Sequence, residues 1–245
     1  MKLNDIFNVK KPVIGMLHLI GNDKDEIFTQ ARMEIGQMYD AGVDAVLVEN
    51  YYGSPQDMER ALAYLQEHYA DHVYGVNVLG SYRNGFRMAK QYGAKFLQID
   101  SICGHLERER DLDYAADLIG LRSDELFLMG GVRFKYQPIR SGRSLEEDLR
   151  IGMERCDGIV VTGDATAVGT EMEKIRLFRK IMGDYPLIVG AGLTLDTCEE
   201  QLSVADAAIV GSWFKKFGIT QNPIDPERVR QFMDKVKELR QALSV

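Results

Sequence analysis

The feature that most constrains the fold of this chain is an alternation of short apolar runs with longer amphipathic segments. Eight such runs occur in 245 residues: VIGMLHL, AVLVEN, YGVNVL, KFLQID, LFLMGGVRF, GIVVTG, PLIVGAG and AAIVGS. Nearly continuous Val, Ile and Leu predict strands that are buried on both faces, as in parallel sheets. The segments between them have apolar residues at helical spacing, and one begins with a capping serine and a proline, Ser54 and Pro55.

Eight alternating strand–helix units predict an α/β fold, a single closed (β/α)8 TIM barrel over residues 1–245. No low-complexity linker divides the chain, so we expect one domain. An open doubly wound sheet is the alternative. It is less favoured because the units number eight and because no GxGxxG turn follows the first strand.

The bulk properties exclude several classes of function. The net charge is -7 and the pI is about 5.2, whereas a nucleic-acid-binding protein needs a basic face to neutralise phosphates. We expect neither a signal peptide nor a membrane span, because no apolar stretch is long enough. The three cysteines are far apart and form no CxxC pair, which indicates reduced thiols in a cytoplasmic protein.

Active sites of TIM barrels lie at the C-terminal ends of the strands, and this rule selects candidate residues before any motif is considered. Those predicted to contact substrate are Asn50, Asn77, Arg133, Thr162, Gly163, Asp164 and Thr166. Asn77 has an alternative role, since an amide inside a buried strand also bonds its neighbours. The TGDAT turn, Thr162 to Thr166, also has an alternative role, which is simply to form a loop that Asp164 caps.

Four of the strand-end residues are predicted to be catalytic: His18, Glu49, Asp100 and Lys135. Glu49 follows four apolar residues, where a carboxylate is costly unless it is paired or catalytic, so it is the main acid–base candidate. An ion pair with Lys135 or Arg133 is the alternative. His18 is either catalytic or a structural histidine, and Asp100 is a second carboxylate or a metal ligand.

Arg133 and Lys135 are two residues apart on the fifth predicted strand, so we expect their side chains to face the same side. If that side is the barrel interior, Lys135 would be an amine nucleophile or an electrophilic partner. Otherwise both would be solvated charges beyond the rim.

Two glycine turns, GAGLT and GSWFKK, follow the seventh and eighth predicted strands, where many TIM barrels bind a phosphate. The predicted phosphate-binding residues are Gly190, Gly192, Gly211, Ser212 and Lys215. Glycines let the backbone amides approach an anion, and the second turn opens a short helix. The alternative is that these glycines only form tight strand-to-helix turns.

No cofactor or metal is predicted. His18, Glu49 and Asp100 are chemically able to share a metal ion, but the sequence has no HxH, HExxH or cysteine cluster to support it.

The chain resembles the BtpA family, also called BtpA/SgcQ, in KPVIGMLHL, AGVDAVLVEN, YGVNVL, YGAKFLQID, GIVVTGDAT, PLIVGAGLT, ADAAIVGSWFKKFG and NPIDPERVRQFM. The resemblance implies a barrel like those that bind ribulose phosphate. The family's founding member is linked to photosystem I assembly, other members are linked to sugar metabolism, and no established reaction is implied. The chain departs from the family pattern after His18 and after Lys135.

The first functional hypothesis is therefore an enzyme that acts on a small phosphorylated metabolite, a sugar or nucleoside phosphate. Lyase, aldolase, isomerase and glycosyl-transfer chemistry all fit. The second is a non-catalytic assembly factor that retains the barrel. Self-association as a homo-oligomer stays open, because Tyr51, Tyr52, Trp213 and Phe217 would form either an exposed patch or the mouth of the active site.

Overall fold

The computed structural model describes residues 1–243, and within them eight parallel strands close into a barrel in sequence order. The strands are β1 Val13–Leu17, β2 Ala45–Glu49, β3 Val73–Asn77, β4 Phe96–Cys103, β5 Phe127–Val132, β6 Gly158–Val161, β7 Leu187–Gly190 and β8 Ala207–Val210. Pairing of β8 with β1 completes the closure. The predicted (β/α)8 TIM barrel is confirmed.

Helices connect the strands and form the outer layer. They are α1 Leu3–Ile6, α2 Lys24–Asp40, α3 Pro55–His68, α4 Tyr82–Tyr92, α5 Arg108–Leu121, α6 Leu145–Arg155, α7 Met172–Met182, α8 Cys198–Val204 and α9 Pro226–Ala242. The Ser54 hydroxyl accepts a hydrogen bond from the Asp57 amide, so the predicted cap of α3 is confirmed. Two short 3-10 turns, Ser212–Phe214 and Lys216–Gly218, follow β8.

Large apolar side chains fill the half of the barrel near the N-terminal ends of the strands. Phe96, Phe127 and Met129 are fully buried there, and Phe7, which follows α1, packs on Phe96 with ring centroids 6.3 Å apart. Gly75 makes room for the Phe96 ring, because a Cβ at Gly75 would lie 2.2 Å from that ring. Buried apolar side chains therefore fill the N-terminal end of the barrel.

No helix within residues 1–243 is long and apolar enough to cross a membrane. Cys103, Cys156 and Cys198 are buried free thiols.

Candidate active site

A cavity at the C-terminal ends of the strands brings together ten of the sequence-predicted residues. About 530 Å³ of space, including its opening to solvent, lies between the strand ends. The predicted residues that line it are His18, Glu49, Asp100, Lys135, Thr162, Thr166, Gly190, Gly192, Gly211 and Ser212. They come from seven strands, β1, β2 and β4 to β8 or the turns after them, so only closure of the barrel places them around one space.

Two carboxyl groups at the floor of this cavity share one amide donor. Asn77 Nδ2 donates to Glu49 Oε1 over 2.7 Å and to Asp100 Oδ1 over 3.0 Å. Glu49 and Asn77 are register partners on β2 and β3, which sets their side chains next to each other. Asn77 is buried between the carboxyl groups and does not itself line the cavity, so its role is to position them.

The surroundings of Glu49 favour its protonated form. Burial, followed by the negative charge of Asp100, raises the pKa of Glu49 to about 8. The positive charge of Lys135 and the hydrogen bond from Asn77 act in the opposite direction but are smaller. At neutral pH Glu49 is therefore protonated and lies beside a second carboxyl group. The alternative of an ion pair between Glu49 and Lys135 or Arg133 finds no support within residues 1–243.

His18 lies beside Glu49 at the end of β1. Its Nε2 atom is 3.8 Å from Glu49 Oε2, and its ring packs against Tyr51 with a centroid separation of 5.4 Å. Burial lowers the pKa of His18 to about 3, and the charges of Lys215 and Lys135 act in the same direction. His18 is therefore a neutral imidazole at neutral pH.

Lys135 reaches into the cavity from the loop after β5. Its ammonium group donates to Thr166 Oγ1 over 3.1 Å, and its backbone amide donates to Thr162 Oγ1 over 3.3 Å. Thr166 Oγ1 is also 3.3 Å from the Tyr51 hydroxyl, which comes from the loop after β2. The loop after β6 therefore bridges the mouth of the barrel and fixes Lys135 on its inner side.

The two predicted anion-binding turns follow the neighbouring strands β7 and β8 and line the same cavity. Gly192 has φ +66°, and a Cβ there would lie 2.4 Å from the Gly169 nitrogen, so the close packing of two loops requires glycine. A Cβ at Gly211 would lie 3.1 Å from His18 Cε1. Ser212 starts a three-residue 3-10 turn, whose first amides have no partner within the turn.

Arg133 does not line this cavity; it lines the neighbouring one, together with Lys135. The strand ends at Val132, and Arg133 takes a left-handed conformation with φ 49° that breaks the alternation. Its guanidinium donates to Asp148 Oδ2 over 2.9 Å and to the carbonyl of Arg143 over 2.7 Å. Arg133 therefore anchors the loop that carries Lys135.

Lys215 is also turned away from the predicted phosphate site. Its side chain is fully buried, and its ammonium group donates to Glu34 over 2.9 and 2.7 Å. Glu34 also accepts hydrogen bonds from the Ile224 amide and from Gln30 Nε2. This ion pair holds the segment after β8 against α2, so Lys215 supports the Gly211–Ser212 turn from behind.

Three further predicted residues lie beside the cavity. Asn50 Oδ1 accepts from the Leu79 amide over 2.7 Å and so braces the loop after β3. Gly163 and Asp164 line a neighbouring cavity of about 730 Å³, which shares Phe134 and Lys135 with the first. Asp164 is exposed there, near Lys174.

Gln98 belongs to the site but was not selected from the sequence. It lies on β4, lines the cavity, and donates to Asp100 Oδ1 over 3.1 Å. Its position two residues before Asp100 was a usable signal, because alternate residues of a strand share a face. Tyr51 lines the cavity mouth, whereas Tyr52 is 41% exposed and Phe217 is 85% exposed. Trp213 stacks with Arg228, whose guanidinium lies 3.8 Å from the ring centroid.

Among residues 1–243, no group of three His, Cys, Asp or Glu side chains is arranged to hold a metal ion. The polar side chains of the cavity are instead connected by hydrogen bonds from amides and an ammonium group.

The comparisons with known proteins agree on family and fold. The BtpA family profile matches residues 9–238. The uncharacterised protein TK2179 of Thermococcus kodakarensis is 30% identical, over 95% of this chain and 98% of its own length. Photosystem I biogenesis protein BtpA of Synechocystis sp. is 25% identical, over 97% and 92%. A solved structure described as native KDPGal aligns with a TM-score of 0.64 and 17% identity, over 98% of this chain and 100% of that one, and shows the barrel fold.

Proposed function

This chain belongs to the BtpA family, and from the geometry of its cavity we propose that it is an enzyme that transfers protons on a small phosphorylated metabolite. The observation that carries the proposal is the pair of carboxyl groups, Glu49 and Asp100, held by one Asn77 amide. Neighbouring carboxyl groups with different protonation supply an acid and a base at the same pH.

The protonation states assign the roles. Glu49, whose pKa is raised to about 8, donates a proton at neutral pH. Asp100, the carboxyl group that shares the Asn77 amide, accepts one. The Lys135 ammonium group stabilises negative charge that develops on a carbonyl oxygen, and the neutral His18 orients the substrate. Removal of a proton from the carbon atom beside a carbonyl group uses a base, an acid and a cation of this kind. Isomerases and aldolases share this step.

The phosphate group would bind at the two glycine turns. Gly190 and Gly192 after β7, and Gly211 and Ser212 after β8, line the same side of the cavity. Backbone amides at the start of the Ser212–Phe214 turn are donors suited to an anion, whereas the Ser212 hydroxyl already pairs with Thr220 Oγ1 over 2.8 Å. Lys215 has no direct part in this site, because its charge is used by Glu34.

A second candidate is a non-catalytic assembly factor. It is supported by the name of the Synechocystis relative, a photosystem I biogenesis protein that aligns over 97% of this chain. Such a protein needs the barrel but not the raised pKa of Glu49. Replacement of Glu49 separates the two candidates, because a factor without catalysis is indifferent to Glu49→Gln.

Thermal melting with matched ligands tests the phosphate site. Inorganic phosphate and a panel of sugar phosphates would each be compared with the dephosphorylated compound. A ligand at 100 times its dissociation constant stabilises the folded protein by about 2.7 kcal/mol. We expect stabilisation by the phosphorylated members only. Ser212→Asp should abolish it by placing a negative charge in the site, whereas Ser123→Asp, on an exposed loop, should not.

Turnover then tests the acid–base pair. With a ligand from that panel as substrate, Glu49→Gln should lower turnover by about 10²- to 10⁴-fold and leave phosphate-dependent stabilisation intact. Absence of stabilisation by every phosphorylated compound would contradict the phosphate site. Unchanged turnover in Glu49→Gln would contradict the role of Glu49.

A further inference from the structure

The amide oxygen of Gln98 is a buried acceptor without a partner. Gln98 is 5% exposed and lines the cavity at the level of the carboxyl groups. Its Nε2 atom donates to Asp100, but its Oε1 atom has no hydrogen-bond partner within residues 1–243. Leaving a buried acceptor unpaired costs about 1–3 kcal/mol, so native proteins rarely leave one without a role.

The neighbours of Gln98 set which way its amide points. Asp100 Oδ1 accepts hydrogen bonds from Asn77 at 3.0 Å and from Gln98 at 3.1 Å. A carboxylate oxygen needs donors, so the nitrogen of Gln98 must face Asp100 and the oxygen must face away from it. The orientation is fixed by chemistry, and the free oxygen is held in place before any ligand binds.

Two other glutamines have an unpaired buried amide oxygen but a different setting. Gln37 and Gln201 have the same orphaned Oε1 atom, and neither lines the cavity. Gln98 is the one of the three that lines the cavity and bonds a proposed catalytic carboxyl group. It therefore differs from them in its setting and not in hydrogen-bond chemistry.

We propose that Gln98 is a specificity-determining residue that accepts a hydrogen bond from a hydroxyl group of the substrate. The inference rests on the proposed function and narrows its substrate class to hydroxylated phosphate esters, such as polyol or sugar phosphates. A neutral hydroxyl donor fits better than an ammonium group, because Lys135 already places a positive charge in the cavity. Sites that hydrogen-bond a substrate hydroxyl reject analogues without it, since the buried acceptor is then left unpaired.

A pair of ligands that differ only in hydroxyl groups tests this role. Ribitol 5-phosphate and pentyl phosphate have the same carbon chain and the same phosphate, and inorganic phosphate reports the anion site alone. Their dissociation constants would be measured by calorimetry for the wild type and for Gln98→Met. Gln37→Met, which removes an amide with the same orphaned oxygen from α2, is the matched control.

We expect the wild type and Gln37→Met to bind ribitol 5-phosphate at least about tenfold more tightly than pentyl phosphate. Gln98→Met should bring that ratio close to one while binding inorganic phosphate as the wild type does. Gln98→Asn, which retracts the amide by one methylene, should give the same loss and serves if Gln98→Met does not fold.

The outcomes separate this inference from the function on which it rests. A ratio that survives both Gln98 variants, with inorganic phosphate still bound, would overturn the role of Gln98 and leave the phosphate site standing. A wild type that binds pentyl phosphate more tightly than ribitol 5-phosphate, or equally tightly, would also overturn the role of Gln98 and leave the phosphate site standing. A wild type that binds none of the three compounds would overturn the phosphate site and this inference together.

Discussion

Glu49 and Asn77 are register partners on neighbouring strands, and the side-chain amide of Asn77 donates to the carboxyl group of Glu49 over 2.7 Å. The same amide nitrogen donates to Asp100 on the next strand. One side chain thus ties two carboxyl groups from β2 and β4 into a fixed arrangement. The raised pKa of Glu49 is a property of this arrangement, because burial and the nearby negative charge act on its carboxyl group.

The first prediction concerns stability against pH. The pKa of Glu49 is about 8 in the folded protein and near its ordinary value of 4.5 in the unfolded chain. Between these values the folded protein holds a proton that the unfolded chain releases, so stability falls as pH rises through this window. Glu49→Gln lacks this loss. Its stability relative to the wild type should therefore increase from about pH 5 to about pH 9, by an amount on the order of a few kcal/mol.

Urea unfolding at several pH values measures that difference. Glu154→Gln, on the exposed face of α6, is the control and should run parallel to the wild type. If Glu49→Gln also runs parallel, then Glu49 is ionised in the folded protein at neutral pH and the proposed proton donor is wrong.

The second prediction concerns His18. Its pKa is lowered to about 3 by burial and by the charges of Lys215 and Lys135. The imidazole should therefore stay neutral from about pH 4 upward, and stability should fall as pH decreases from about 6.5 toward 3 because the unfolded chain binds the proton first. Imidazole chemical shifts, followed by NMR with the exposed His68 as reference, report this directly. A His18 titration near pH 6.5 would contradict it.

The third prediction separates crowding from backbone strain at the β7 turn. Gly192 and Gly142 both have φ +66°, but only Gly192 has atoms where a Cβ would stand, as close as 2.4 Å. Gly142→Ala should cost about 1 kcal/mol, the strain of a left-handed alanine. Gly192→Ala should cost clearly more and should also weaken phosphate binding, because the loop after β6 must move. Equal losses of stability in the two variants would show that the close approach of the loops is not required.

The fourth prediction concerns the two adjacent lysines after β8. Lys215 is fully buried against Glu34, whereas Lys216 is exposed. Lys215→Met leaves the Glu34 carboxylate without its cation and should cost about 3–5 kcal/mol in the free energy of unfolding. Lys216→Met should change it by less than about 0.5 kcal/mol.

A double variant tests the cause of that loss. Glu34→Gln combined with Lys215→Met removes both charges and should recover part of the stability, as a double-mutant cycle would show. No coupling between the two positions would mean that Lys215 contributes through packing of its alkyl chain alone.

The sequence by itself determined the barrel, because buried strands and amphipathic helices are encoded in the local order of apolar and polar residues. It also placed Glu49 and the glycine turns at strand ends, and strand ends of a barrel meet at one face. Ten predicted residues line the cavity for that reason. Asp100 was predicted at a strand end too, but β4 continues past it to Cys103. The sequence could also have identified Gln98, because it precedes Asp100 by two positions on β4 and alternate residues of a strand share a face.

Only the tertiary structure decided where charges are paired and which groups are protonated. Lys215 turns away from the anion site because it pairs with Glu34. That partner lies 181 residues earlier in the chain, so the sequence around Lys215 does not reveal the pair. Arg133 stays outside the first cavity, where its backbone is left-handed and its guanidinium pairs with Asp148. The raised pKa of Glu49 depends on burial and on Asp100, which lies two strands away on β4. Electrostatic energy depends on distance and on exclusion of water, and local sequence determines neither for residues that meet only when the barrel closes.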